Sequence, residues 1–147
     1  MAVRRRSDIR ESLGDLARQY ELMAIYAFGS RAEEVAARMA GGEVEPTWSS
    51  SDIDIGVLPV ANRRLSPQDR VALTLALEDL FDVARVDLVI LPEAPPYLAL
   101  EVVRGELLYT TDPDAEAEYQ LYVLRRAGDL APYQHERLRM ILAGEAI

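Results

Sequence analysis

The chain of 147 residues contains no cysteine, and all 16 of its basic residues are arginine, so lysine is absent as well. The first absence excludes disulfides, a thiol nucleophile and a zinc–thiolate site. The second excludes Schiff-base chemistry, a lysine-linked adenylate and the lysine of a P-loop. His135 is the sole histidine, which rules out a multi-histidine metal site. No apolar run reaches the ~18 residues that a membrane span requires. The N-terminal MAVRRRSDIR carries arginines with no apolar stretch behind them, unlike a signal peptide. A soluble, cytoplasmic protein without membrane contact is expected. Any catalysis must rest on carboxylates, hydroxyls and arginines, with or without a metal ion.

Positive charge is also in short supply. The formal net charge is −9, which repels phosphate backbones and disfavours broad binding of nucleic acid. Half the residues are hydrophobic, and the length suits one ordinary domain with a real core. A single domain over 1–147 is expected, with a sheet core and its helices in 1–111 and a helical tail in 112–147.

The pattern along the chain gives the order α-β-α-β-α-β-α-(β)-α. Asp8 and Glu11 have capping-box spacing, and Ile9, Leu13, Leu16 and Tyr20 follow at helical period, predicting a first helix near 8–20. LMAIYAF (22–28) reads as a buried strand ending at Gly29. A helix is expected from Ser30 to Gly41-Gly42, followed by a loop, GGEVEPTWSS. Residues 52–58 form a second strand. Ser66-Pro67-Gln68-Asp69 starts a helix whose buried face is Leu73, Leu77, Leu80 and Phe81. RVDLVIL (85–91) is a third strand, a short helix runs from Pro95-Pro96 to about Arg104, and ELLYT is a candidate fourth strand. Asp112-Pro113 caps a helical tail with expected breaks near Gly128 or Pro132. The fold class is α/β (α+β), a small mixed sheet flanked by helices.

Two aspartates interrupt the second strand, although aspartate is a poor strand former. At i and i+2, Asp52 and Asp54 project to one face with Gly56 next on it, while Ile53, Ile55 and Val57 point into the core. Carboxylates this close raise each other's pKa unless a cation neutralises them, and magnesium takes one or two carboxylates plus phosphate oxygens. For an Asp-x-Asp on its own, a solvent-facing strand edge protected by charge is the preferred reading. Gly29-Ser30 adds a second element: at a strand-to-helix junction, the amides of Ser30 and Arg31 form an anion site at a helix N-terminus. On its own the serine is an ordinary helix cap. Asp87, inside the apolar run VDLVIL, is the third; its alternative is an edge acid paired with arginine, such as Arg85. Three carboxylates on nearby strands, facing a phosphate-binding turn, form the layout of metal-assisted phosphoryl or nucleotidyl transfer.

Gly29-Ser30, Asp52-Ile53-Asp54 and Asp87 together resemble the DNA polymerase beta-like nucleotidyltransferase superfamily. The short chain resembles its minimal nucleotidyltransferases, including the MNT antitoxins of HEPN/MNT pairs. The resemblance runs from the first helix to about Leu91, and more loosely through VVRGELLY and the tail. It implies the polymerase beta-like fold, two Mg2+ ions on Asp52 and Asp54 with Asp87 joining one of them, and ATP as nucleotide donor. It further implies that Gly29 and Ser30 hold the β- and γ-phosphates and that Arg31 adds charge there. The implied acceptor is a tyrosine hydroxyl of a HEPN toxin ribonuclease, whose basic surface an acidic antitoxin would suit. A small cationic acceptor such as an aminoglycoside is the first alternative. A non-catalytic module that occludes its partner is the second, and retention of all three aspartates argues against it.

The chain departs from that pattern in two places. The 21 residues from Arg31 to Ser51 exceed the usual spacing between the serine and the first aspartate. Glu33-Glu34 also stands where many relatives have small and basic residues. In the long spacer, Trp48 could stack on a base or meet a partner, with packing back on its own domain favoured. His135 is expected at the surface. Tyr119, Tyr122, Tyr133, Leu121, Leu124, Leu138, Ile141 and Leu142 give the tail more apolar surface than a small sheet needs, a surface for a partner or for self-association.

Overall fold

Apolar residues at period two and at helical period build two cores on opposite faces of one sheet. The computed structural model describes residues 6–41 and 48–142. Strands β1 (Leu22–Phe28), β2 (Asp52–Pro59), β3 (Arg85–Ile90) and β4 (Glu106–Thr110) lie in the order β3-β2-β1-β4. β1 runs antiparallel to β2 and β4, whereas β2 and β3 are parallel. A parallel pair needs a crossover, and helix α3 (Pro67–Phe81) supplies it. The other helices are α1 (Arg6–Gln19), α2 (Ala32–Met39), α4 (Pro96–Val103) and α5 (Pro113–Leu142).

Ile53, Ile55 and Val57 turn to the face covered by α1, α2 and α3, where they pack with Leu13, Val35, Leu73 and Leu77. Tyr26, Phe28 and Leu58 turn to the opposite face, against Ala99, Val102 and Val103 of α4 and Val123 of α5. The mixed sheet flanked by helices is the expected fold class, and ELLYT is its fourth strand. No described helix is long and apolar enough to cross a membrane.

Helix α3 begins as its sequence dictates. The Ser66 hydroxyl accepts from the Asp69 amide at 3.0 Å and the Asp69 carboxylate accepts from the Ser66 amide at 3.2 Å, with Pro67 in the first turn. Three other expectations need correction. Asp8 is not a cap: α1 already starts at Arg6, and Asp8 lies in its first turn, where a carboxylate suits the positive end of the helix dipole. The helix expected from Ser30 opens as a 3-10 turn, Gly29–Arg31, and α2 proper starts at Ala32. It stops as expected, with Gly41 at φ +86°.

The tail is not broken at Gly128 or Pro132; α5 is one helix of 30 residues. An interior proline removes one backbone donor and crowds the carbonyl four residues earlier. Here that carbonyl belongs to Gly128, and the helix continues through both residues. The loop residues 42–47 and the side chains of Tyr133, His135, Leu138, Ile141 and Leu142 lie outside the described part.

Candidate functional site

The parallel register of β2 and β3 places Asp52 opposite Arg85 and Asp54 opposite Asp87. On the other side of β2, Asp54 pairs with Phe28, the last residue of β1. The chain then turns through Gly29 at φ +76°, a left-handed conformation that glycine tolerates. A Cβ on Gly29 would stand 2.3 Å from Asp54 Oδ2. The missing side chain is thus what lets the turn lie against the carboxylate. Sequence placed the glycine turn and the aspartates 23 or more residues apart; the sheet brings Gly29, Asp54 and Asp87 together.

Asp54 holds its proton more firmly than an ordinary carboxyl. Burial is the main cause, and the nearby charges of Asp87, Glu101 and Asp52 push in the same direction, as does a hydrogen bond with Asp87. Glu101, on α4, did not figure among the expected residues. Its signal in the sequence was Gly56, on the same strand face as Asp52 and Asp54. A Cβ there would lie 2.3 Å from Val102 Cγ1, so the glycine lets α4 sit close to the sheet and carries Glu101 toward Asp54.

Asp87 also satisfies its alternative reading. It sits on an edge strand, and Arg85 Nε donates to Asp87 Oδ1 at 3.1 Å on the exposed side. Both relationships hold, since the carboxylate that faces Asp54 is also held by Arg85. Among the described residues no three carboxylates or imidazoles form a finished metal cage. What the donor set offers is excess negative charge on hard oxygen ligands, which is the chemistry magnesium takes. Asp52, Asp54 and Asp87 therefore fit that ion in kind.

Gly29 and Ser30 are exposed and line a cavity of about 380 Å3 together with Glu33, Glu101, Arg104 and Glu106. The Ser30 and Arg31 amides head the 3-10 turn, where the first backbone donors lack partners within the helix. The Arg31 guanidinium does not reach into this cavity. It donates to Glu34 Oε2 at 2.8 Å, one turn further along. Glu34 is therefore occupied locally, whereas Glu33 faces the cavity.

Trp48 packs back on the protein. It is buried, its Nε1 donates to the Phe81 carbonyl at 2.7 Å, and Arg38 lies 5.8 Å above its ring centre. That excludes base stacking by this residue and ties the end of the long spacer to α3. A larger cavity, about 750 Å3, opens at the other end of β2 beside Arg63 and Tyr119 and contains none of the expected site residues.

Residues 11–114 match the sequence model of the Polymerase beta nucleotidyltransferase family. The chain belongs to that family. Solved structures with the same nucleotidyltransferase fold include a toxin–antitoxin with AMP-PNP, 24% identical, covering 90% of this chain and 98% of that one at a TM-score of 0.66. Another is an MNT antitoxin in complex with the tri-AMPylated Shewanella oneidensis HEPN toxin: 24% identity, 93% and 98% coverage, TM-score 0.63. A third, the MntA–HepT toxin–antitoxin, is 23% identical and covers 91% and 97% at 0.63. At such identities the likeness concerns the fold. A comparison with curated protein sequences gives no match.

Proposed function

We propose that this nucleotidyltransferase is magnesium-dependent and transfers AMP from ATP to a tyrosine hydroxyl of a HEPN-type toxin, acting as its antitoxin in the cytoplasm. The observation that carries the reading is the contact of the Gly29 turn with Asp54, which sets a phosphate-binding backbone beside the carboxylates. AMP-PNP and the tri-AMPylated toxin in the solved relatives agree with the donor and the acceptor class. The acidic balance of the chain complements a basic ribonuclease.

In this reading the amides after Gly29 and the Ser30 hydroxyl grip the β- and γ-phosphates. Asp52, Asp54 and Asp87 would hold Mg2+, which neutralises charge on the phosphates and on the attacking and leaving oxygens. The acceptor oxygen displaces pyrophosphate from the α-phosphorus, and its proton passes to the carboxylate cluster.

The test incubates the protein with labelled ATP, magnesium and either a HEPN-type toxin or an aminoglycoside panel. Label on a toxin tyrosine is the expected outcome, and label on an aminoglycoside alone would replace the acceptor. The double variant Asp52→Asn, Asp54→Asn should lose transfer by a factor of at least about 10^3, as removal of metal-held charge stabilisation does. Full activity in that variant would end the proposal.

A further inference from the structure

Arg104 closes α4, within VVRGELLY, the element where the resemblance to the family is looser. It lines the same cavity as Gly29 and Ser30, is exposed, and has no ion-pair partner among the described residues. Its placement is fixed by its neighbour. A Cβ on Gly105 would meet the Ala27 carbonyl at 2.2 Å and Phe28 Cα at 3.1 Å, so the chain after Arg104 runs tightly against the end of β1, directly before the Gly29 turn. The Arg104 amide is tied to the Leu100 carbonyl at 3.0 Å, which anchors the other side.

The electrostatics of the cavity make this position decisive. Among the described residues Arg104 is the single cation of the lining, facing Glu33, Glu101 and Glu106. Arg31, whose place in the sequence suggested a phosphate contact, spends its guanidinium on Glu34. An anion bound on the Gly29-Ser30 turn would therefore find one free arginine there. A guanidinium forms bidentate bonds to phosphate oxygens.

We propose that Arg104 binds the β- and γ-phosphates of ATP, supplying beside the Gly29-Ser30 turn the positive charge that sequence resemblance expects from Arg31. The inference rests on the nucleotidyltransferase reading above and adds a substrate-binding residue to it. Arg104 grips the part of the donor that leaves as pyrophosphate, so it discriminates ATP from AMP.

Calorimetric titration of the full chain with Mg-ATP, tripolyphosphate and AMP separates the possibilities. Loss of a charge-assisted contact in Arg104→Gln should weaken ATP and tripolyphosphate about tenfold or more, leaving AMP affinity and the melting temperature unchanged. Arg104→Lys should recover part of the loss. Equal weakening of ATP and AMP would mean a structural role, and unaltered ATP affinity in Arg104→Gln would overturn the inference alone. So would a larger loss of ATP affinity in Arg31→Gln than in Arg104→Gln. If the unaltered protein binds no ATP, the inference falls together with the proposed function.

Discussion

Gly29 combines two demands that no other residue meets. Its φ of +76° is left-handed, and any Cβ would press on Asp54 Oδ2. Gly29→Ala should lower stability by about 1–3 kcal/mol through backbone strain. Transfer should fall further than that, since the turn and the carboxylate would be forced apart. Denaturant titration followed by the emission of Trp48, the single tryptophan, measures the first effect, and labelled-ATP transfer the second. Asp54 invites the opposite outcome. Its proton affinity is raised in the fold, so its charged form works against folding, and stability falls as pH rises through its titration. Asp54→Asn should therefore melt higher at neutral pH while losing activity; a lower melting temperature would refute this. These roles were partly legible. The aspartates stood out because they interrupt an apolar strand, and Gly29 because it ends one. Glu101 and Arg104 lie on and at the end of an ordinary-looking short helix, and the close approaches at Gly56 and Gly105 give them their meaning.

At the scale of elements, local rules succeeded where the signal was local. The helix start at Ser66-Pro67-Gln68-Asp69, the strand LMAIYAF and the stop at Gly41 all formed as read, because each depends on a few adjacent residues. The continuous α5 was not legible, since the propensities of a single glycine or proline are weak priors for where a long helix ends. α5 is docked on the sheet by a buried polar contact. The Tyr26 hydroxyl donates to Glu116 Oε1 at 2.6 Å, and the Gln120 side-chain amide donates to the same oxygen. Tyr26→Phe should destabilise by about 1–3 kcal/mol, as the buried Glu116 carboxylate loses a donor, and chemical denaturation would show it. Burial chiefly raises both phenols of this seam, Tyr26 well above the usual tyrosine range and Tyr119 up to about 12. Both favour the neutral form in the fold. Their contribution is thus complete below about pH 10, the ordinary tyrosine value, and is lost as pH rises toward the folded values. Melting curves from pH 8 upward should show the decline beginning near there, and Tyr26→Phe should blunt it.

Across the whole molecule, charge and apolar surface are distributed unevenly. The net charge of −9 is carried partly by the acids that gather at one end of β2. Leu121, Tyr122 and Leu124 of α5 are exposed, as the tail's composition suggested. If the acceptor is a basic protein, its association should slow by about tenfold or more between low and high salt, because screening removes the steering between opposite charges. Stopped-flow mixing at two ionic strengths measures this; a salt-independent rate would point to a neutral acceptor. The overall fold was legible because the order of helices and strands leaves few ways to cover both faces of one sheet. The pairing of β2 with β3 needed the structure, since a parallel register joins residues that no local pattern links.

That pairing also has a consequence for synthesis. The Asp52-Asp54 pair leaves the ribosome well before Asp87, which must wait for the whole of α3 to be made and folded across the sheet; Glu101 and Arg104 come later still. Contacts between distant segments form slowly, so the carboxylate set is completed only near the end of translation. A nascent chain stalled before β3 would carry Asp52 and Asp54 without Asp87, Glu101 or Arg104, so the site would stay incomplete until almost the last helix had emerged.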